Sequence, residues 1–128
     1  MFLLLFMFFA DALAEPIFID KYYAKSYVGR TVSICDAVSH VSVPDNPNIP
    51  YIIYFEEYNG KFSDANYLFN GIIWSSSLER MEINPKSDLS GKDICIKGTL
   101  SSYNGTPQIV ITGLNQISII YNKSIGVK

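Results

Sequence analysis

Gly29-Arg30-Thr31-Val32-Ser33-Ile34 and Gly91-Lys92-Asp93-Ile94-Cys95-Ile96 open alike: a glycine, a base, then alternation. Apolar and other residues continue to alternate through Val38 in the first segment and Leu100 in the second. A side-chain period of two is that of a strand with one buried face. Two long strands built alike, each followed by a hairpin-like partner, predict a small closed or nearly closed β-barrel.

The rest of the chain fits around these two strands. The first is expected over 30–42 and the fourth over 92–102. Between them, 43–50 holds three prolines in eight residues and reads as a loop. Residues 51–57 are almost continuously apolar and aromatic, a second strand, and Asn59-Gly60 supplies a turn signal. The third strand is expected over 67–74. Ser75-Ser76-Ser77 can cap a short helix through Met81, which Asn84-Pro85 then breaks. Tyr103-Asn104-Gly105-Thr106 is a tight-turn signal, after which 107–120 returns as the fifth strand. Residues 15–27 form a lead-in whose Ile17, Ile19, Tyr22 and Tyr23 are expected on the barrel wall, and 121–128 form a C-terminal tail.

At 128 residues the chain is expected to hold one domain. It is 48% hydrophobic and 17% charged, with a net charge of -2. The missing basic excess counts against strong non-specific binding of nucleic-acid phosphates, which draws on many Lys and Arg. Residues 1–10 form an apolar run too short to span a bilayer, and Ala12-x-Ala14 fits a signal-peptidase site. Residues 1–14 therefore read as an export signal leading to a periplasmic or secreted mature form without a membrane span. No Lys or Arg precedes the run, which is a departure from such signals, and the alternative is an apolar segment packed on the barrel.

Cys35 and Cys95 fall in the two similar strands, at positions that face the same way if those strands pair. In an oxidising compartment such a pair bridges; otherwise the two remain as small buried thiols. Two cysteines and the single His40 do not furnish a four-ligand zinc site, and no metal or cofactor is expected.

Several residues resemble the oligonucleotide/oligosaccharide-binding (OB) fold, a five-stranded Greek-key barrel. They are Gly29-Arg30-x-Val32, Phe69-x-Gly71-Ile72-Ile73-Trp74, Leu89-x-Gly91-Lys92, and Gly98-Thr99-Leu100-x-x-Tyr103-x-Gly105-x-Pro107-Gln108-Ile109. The pattern is similar to small bacterial OB domains of the exported stand-alone or nuclease-associated kind, and covers 28–120. The resemblance implies an all-β barrel with one short helix and single-stranded nucleic acid as ligand. Asp36 departs from it by standing where Gly98 stands in the matching strand, which predicts a first strand without the corresponding bend.

Catalysis is not expected. A metal-dependent nuclease needs clustered acids and arginines, whereas only Arg30 and Arg80 are present and the Glu56-Glu57 doublet points to opposite faces of a strand. Ser75-Ser76-Ser77 and His40 lack a nucleophile-elbow motif or an evident orienting acid. Binding is the better expectation. OB barrels present their second and third strands, framed by two loops, and single strands stack there on aromatics beside cations. The candidates are Tyr51, Tyr54, Phe55, Trp74 and Tyr103 for stacking, Lys61, Arg80 and Lys97 for charge, and Asn70 as a hydrogen-bonder. Asn70, Ile72 and Trp74 share one face of the third strand, and Asn70 marks that face as the outside. The competing expectation is a protein-interaction or structural module using the same face, with an accessory domain of a secreted nuclease system as a third.

Overall fold

The fold is that of a computed structural model, which describes residues 15–56 and 69–120. The proposed export signal, the Asn59-Gly60 turn, Lys61 and the C-terminal tail lie outside the described residues.

The strands are β1 (Ile17–Phe18), β2 (Thr31–Ser42), β3 (Tyr51–Phe55), β4 (Asn70–Ile73), β5 (Asp93–Tyr103), β6 (Thr106–Val110) and β7 (Ile117–Ile120). Their order is β1-β2-β3-β4-β6-β5-β7, and a further β2–β5 pairing closes the ring. Five strands make the barrel: β2, β3, β4, β6 and β5, with β4 and β6 parallel and the other neighbours antiparallel. This is the expected Greek-key barrel.

The two look-alike segments explain how the ring closes. Each is long enough to serve both halves of the barrel. The first half of β2 pairs with β5 from Thr31↔Thr99 to Ala37↔Asp93, and its second half pairs with β3. The second half of β5 turns instead to β6. On β5 the turn falls at Gly98, where an added Cβ would lie 2.8 Å from Ile109 Cγ2; the core leaves no room for a side chain there. On β2 the expectation of an unbent strand is corrected. A register shift between Val38 and His40 bends it without a glycine, three residues past Asp36.

Asp36 has other work. Its Oδ2 lies 2.5 Å from Lys21 Nζ. Lys21 belongs to a 3-10 turn, Lys21–Tyr27, that Asp20 caps by accepting from Tyr22 N. Lys21 is only 8% exposed and also donates to the carbonyl of Glu56 at the end of β3. One buried cation thus ties the lead-in to two strands. The lead-in differs from expectation in detail: Ile17 and Tyr23 are exposed, whereas Ile19 packs on the core.

Inward residues follow strand parity. Val32, Ile34 and Val38 from β2 meet Ile53, Ile73, Ile94, Ile96, Leu100 and Ile109, all fully buried or nearly so. Burying each such side chain stabilises the fold by about 1.5–3 kcal/mol. Cys35 and Cys95 are register partners on the outside of the barrel and form a disulfide, so the buried-thiol alternative does not hold.

Two helices follow β4. The first, α1 (Ser75–Met81), starts at the serines, but its N-cap residue is Trp74, without a side-chain cap. Asn84-Pro85 does not merely break it. Asn84 caps a second helix, α2 (Pro85–Leu89), accepting from Ser87 N, with Pro85 at the start. The expected fifth strand over 107–120 is also divided. Gln116 Oε1 accepts from Thr112 N at 2.8 Å in a turn after β6, and β7 goes on to pair with the first half of β5, along the edge opposite β2.

Candidate functional site

Strand register lays two rows of side chains across the outer face. His40, Tyr54, Asn70, Gln108 and Ser101 form one row across β2, β3, β4, β6 and β5. Ser42, Ile52, Ile72 and Val110 form the next. Over these rows lies a trough of about 350 Å³. Its floor is Ile52, Ile72, Asn70 and Gln108; Asn48, Ile49 and Pro50 form one rim, and Trp74 and Tyr103 also line it. No Lys, Arg, Asp or Glu is among these residues.

Local backbone structure holds the two rings at opposite ends. Trp74 follows β4, two residues past Ile72, and its carbonyl accepts from both Ser77 N and Leu78 N at 3.0 Å. The first turn of α1 therefore pins its backbone while the indole stays 38% exposed. Tyr103 pairs with Thr106 at the far end of β6, beside a tight turn with positive φ at Asn104 (51°) and Gly105 (84°). Its ring is 67% exposed. The rim is ordered by Asn46, whose Oδ1 accepts from Asn48 N at 2.8 Å.

No protein-family model matches the sequence, and no curated protein matches it. Solved structures do match. The structure of yeast Stn1 and Ten1 aligns with a TM-score of 0.55 at 14% identity, over 86% of this chain and 65% of that one. A protein from Leishmania major, provisionally described as an aspartyl-tRNA synthetase, aligns with a TM-score of 0.52 at 10% identity, over 82% of this chain and 21% of that one. A lipoprotein from Klebsiella pneumoniae, provisionally described as nucleic acid-binding, aligns at 0.43 with 10% identity, over 76% of this chain and 75% of that one. With the strand order and register, the first two show the architecture. The chain has the OB fold. It spans about two thirds of the length of the first neighbour and a fifth of the second.

In OB terms the trough lies on the face of the second and third barrel strands. Of the residues expected there, Asn70, Trp74 and Tyr103 line it together. Tyr54 neighbours Asn70 in the same row and stacks on His40, with centroids 4.7 Å apart and planes 16° apart. Tyr51 and Phe55 are corrected. They occupy the other parity of β3 and pack against the core, and Phe55 stacks on Phe69 at 5.4 Å. A strand that is aromatic on both faces does not reveal which face is buried until its register is known.

Of the expected cations, neither Arg80 nor Lys97 lines the trough. Arg80 is on α1, where its Nη1 donates to Ser76 O at 3.1 Å. Lys97 is exposed on β5 opposite Ser33, in the half of the barrel that pairs with β2. Lys61 lies outside the described residues. The sequence reading missed Asn48 and Gln108. Gln108 was within reach, because Pro107 and Ile109 are inward-facing neighbours and strand parity sends the residue between them outward. Asn48 carries no such signal in an irregular loop.

His40 Nδ1 lies 3.1 Å from Ser39 Oγ, and its ring is occupied by Tyr54. Ser77 is buried in α1. Among the described residues no three His, Cys, Asp or Glu side chains are grouped to hold a metal, and no helix is long and apolar enough to cross a membrane.

Proposed function

We propose that this chain is an exported, non-catalytic OB domain that binds single-stranded nucleic acid across the trough. The observation that carries the reading is the pair of exposed rings, Trp74 and Tyr103, at the ends of an apolar floor studded with carboxamides. Rings that can stack on bases, next to groups that can bond base edges, are what unstacked single strands offer a partner for. With no charged side chain among the described residues that line the trough, base faces and edges are the groups that these residues can engage. The disulfide supports export, because such bonds persist in oxidising compartments, as do the apolar run and the Ala12-x-Ala14 site.

The test uses Trp74 itself. It is the sole tryptophan in the chain, so its emission reports on the trough alone. Titration with short single-stranded DNA is expected to quench or shift that emission at low salt, and Trp74→Ala is expected to weaken binding measured by labelled DNA. Unchanged emission together with no retention of labelled DNA overturns the reading.

The uncharged lining favours a second reading, a protein partner. Interface centres are depleted of charge and enriched in Trp and Tyr. Capture of a protein that Trp74→Ala abolishes, without DNA binding, would select it.

A further inference from the structure

Asn70 and Gln108 are register partners on the parallel neighbours β4 and β6. Their side chains leave the same face side by side, from strands about 4.8 Å apart. Asn48 stands on the rim of the same trough. None of these three side-chain amides has a hydrogen-bond partner among the described residues. Each offers one acceptor and two donors. Asn70 and Gln108 are half-buried, and a ligand that closes over them without bonding them leaves both unsatisfied at a cost.

Sequence-blind single-strand sites combine stacking with cations that follow the backbone. Among the described residues this trough is lined by rings and amides and by no cation, an arrangement suited to reading base edges. At about 350 Å³ it is near the small end of ligand pockets, which run from about 300 to 1,000 Å³. That suits one or two bases.

Resting on the single-strand reading above, we infer that the trough selects adenine, with Asn70 and Gln108 as its specificity-determining residues. A carboxamide pairs with a base wherever a donor lies next to an acceptor. The two hydrogens on adenine N6 are flanked by N1 on one side and N7 on the other. Adenine therefore shows that donor–acceptor pair on both its Watson–Crick and its Hoogsteen edge. Cytosine and thymine show one on the Watson–Crick edge alone, and the Hoogsteen edge of guanine carries two acceptors, N7 and O6. Two amides projecting side by side straddle N6, each accepting one of its hydrogens while donating to the adjacent ring nitrogen. Trp74 and Tyr103 cover the faces of the base and its neighbour.

The experiment uses dT oligomers carrying one central dA, dC or dG, titrated against the full chain by anisotropy and by Trp74 emission. The dA oligomer is expected to bind roughly tenfold or more tightly than the others, since one bidentate amide pair discriminates by about 5- to 150-fold. Replacing that adenine by 7-deazaadenine, which lacks N7, or by purine, which lacks the N6 amine, is expected to remove most of the gain. These ligand changes leave the protein untouched. N70A and Q108A, checked for folding by circular dichroism, are expected to level the preference while keeping residual binding. A tenfold rise in salt is expected to weaken binding by roughly fivefold at most, the slope for about one neutralised phosphate. Binding of equal strength to all three oligomers, or full affinity for 7-deazaadenine, overturns the inference and leaves the single-strand reading standing. Absence of binding to every oligomer, with Trp74 emission unmoved, removes both.

Discussion

Lys21 and Asp36 form an ion pair at 2.5 Å in which the lysine side chain is 9% exposed and the carboxylate 27%. The lysine comes from a short 3-10 turn and the aspartate from the longest strand, so the contact fixes where the lead-in meets the barrel. The same ammonium donates to the carbonyl of Glu56, bringing the end of β3 into the arrangement.

Lys21→Met is expected to destabilise the fold by about 3 kcal/mol, because removing one member of a buried pair strands the other. Asp36→Asn retains a polar partner for the ammonium and is expected to cost less. Urea midpoints provide the check; a Lys21→Met midpoint equal to that of the unaltered protein would mean that the pair contributes no more than its exposed equivalents.

Reducing Cys35–Cys95, which closes a 60-residue separation, is expected to lower stability by about 4 kcal/mol on the loop-entropy account. The bond joins β2 to β5 within the register that unites both halves of the barrel. Denaturant curves with and without reductant measure the loss. A Cys35→Ser/Cys95→Ser double variant is expected to match the reduced protein and to ignore reductant.

Gly98→Ala places a methyl 2.8 Å from Ile109 Cγ2. Overpacking of this kind costs about 1–3 kcal/mol. Thermal unfolding is expected to show a lowered Tm, and trimming the obstacle in a Gly98→Ala/Ile109→Val double variant to recover part of it.

The aromatic residues are expected to divide by face. Trp74→Ala removes a stacking surface worth about 1–3 kcal/mol of binding and changes unfolding little, since the ring is exposed. Phe55→Ala acts in the opposite way: the ring packs on the core against Phe69, so about 3–5 kcal/mol of stability is lost. Paired binding and denaturation measurements on the two variants test the assignment of faces.

These contrasts follow what the sequence made legible. Alternation in two similar segments was enough to find the strands that close the barrel, and their equivalent cysteines proved to be register partners. Asn70 correctly marked the outer side of β4 and brought Trp74 with it. Parity failed on β3, whose apolar and aromatic residues suit either face; only the pairing of Ile53 with Gly71 shows which side is inward. The division of 107–120 was hidden because Ile111, Ile117 and Ile119 all look strand-like, and the interruption depends on Gln116 folding back on Thr112. Gln116 is eight residues beyond Gln108, yet one amide holds a turn and the other faces the trough. Nothing local distinguishes them.

The anchoring of Glu56 and Phe69 bears on how the barrel can be engineered. Glu56 N donates to Ala37 O at 3.0 Å, and Phe69 is buried against Phe55. Both attachment points of the segment joining β3 to β4 are thus held by the barrel itself. Engineering of that connection therefore has to leave Glu56 and Phe69 as they are, since a change at either anchor is felt in the barrel.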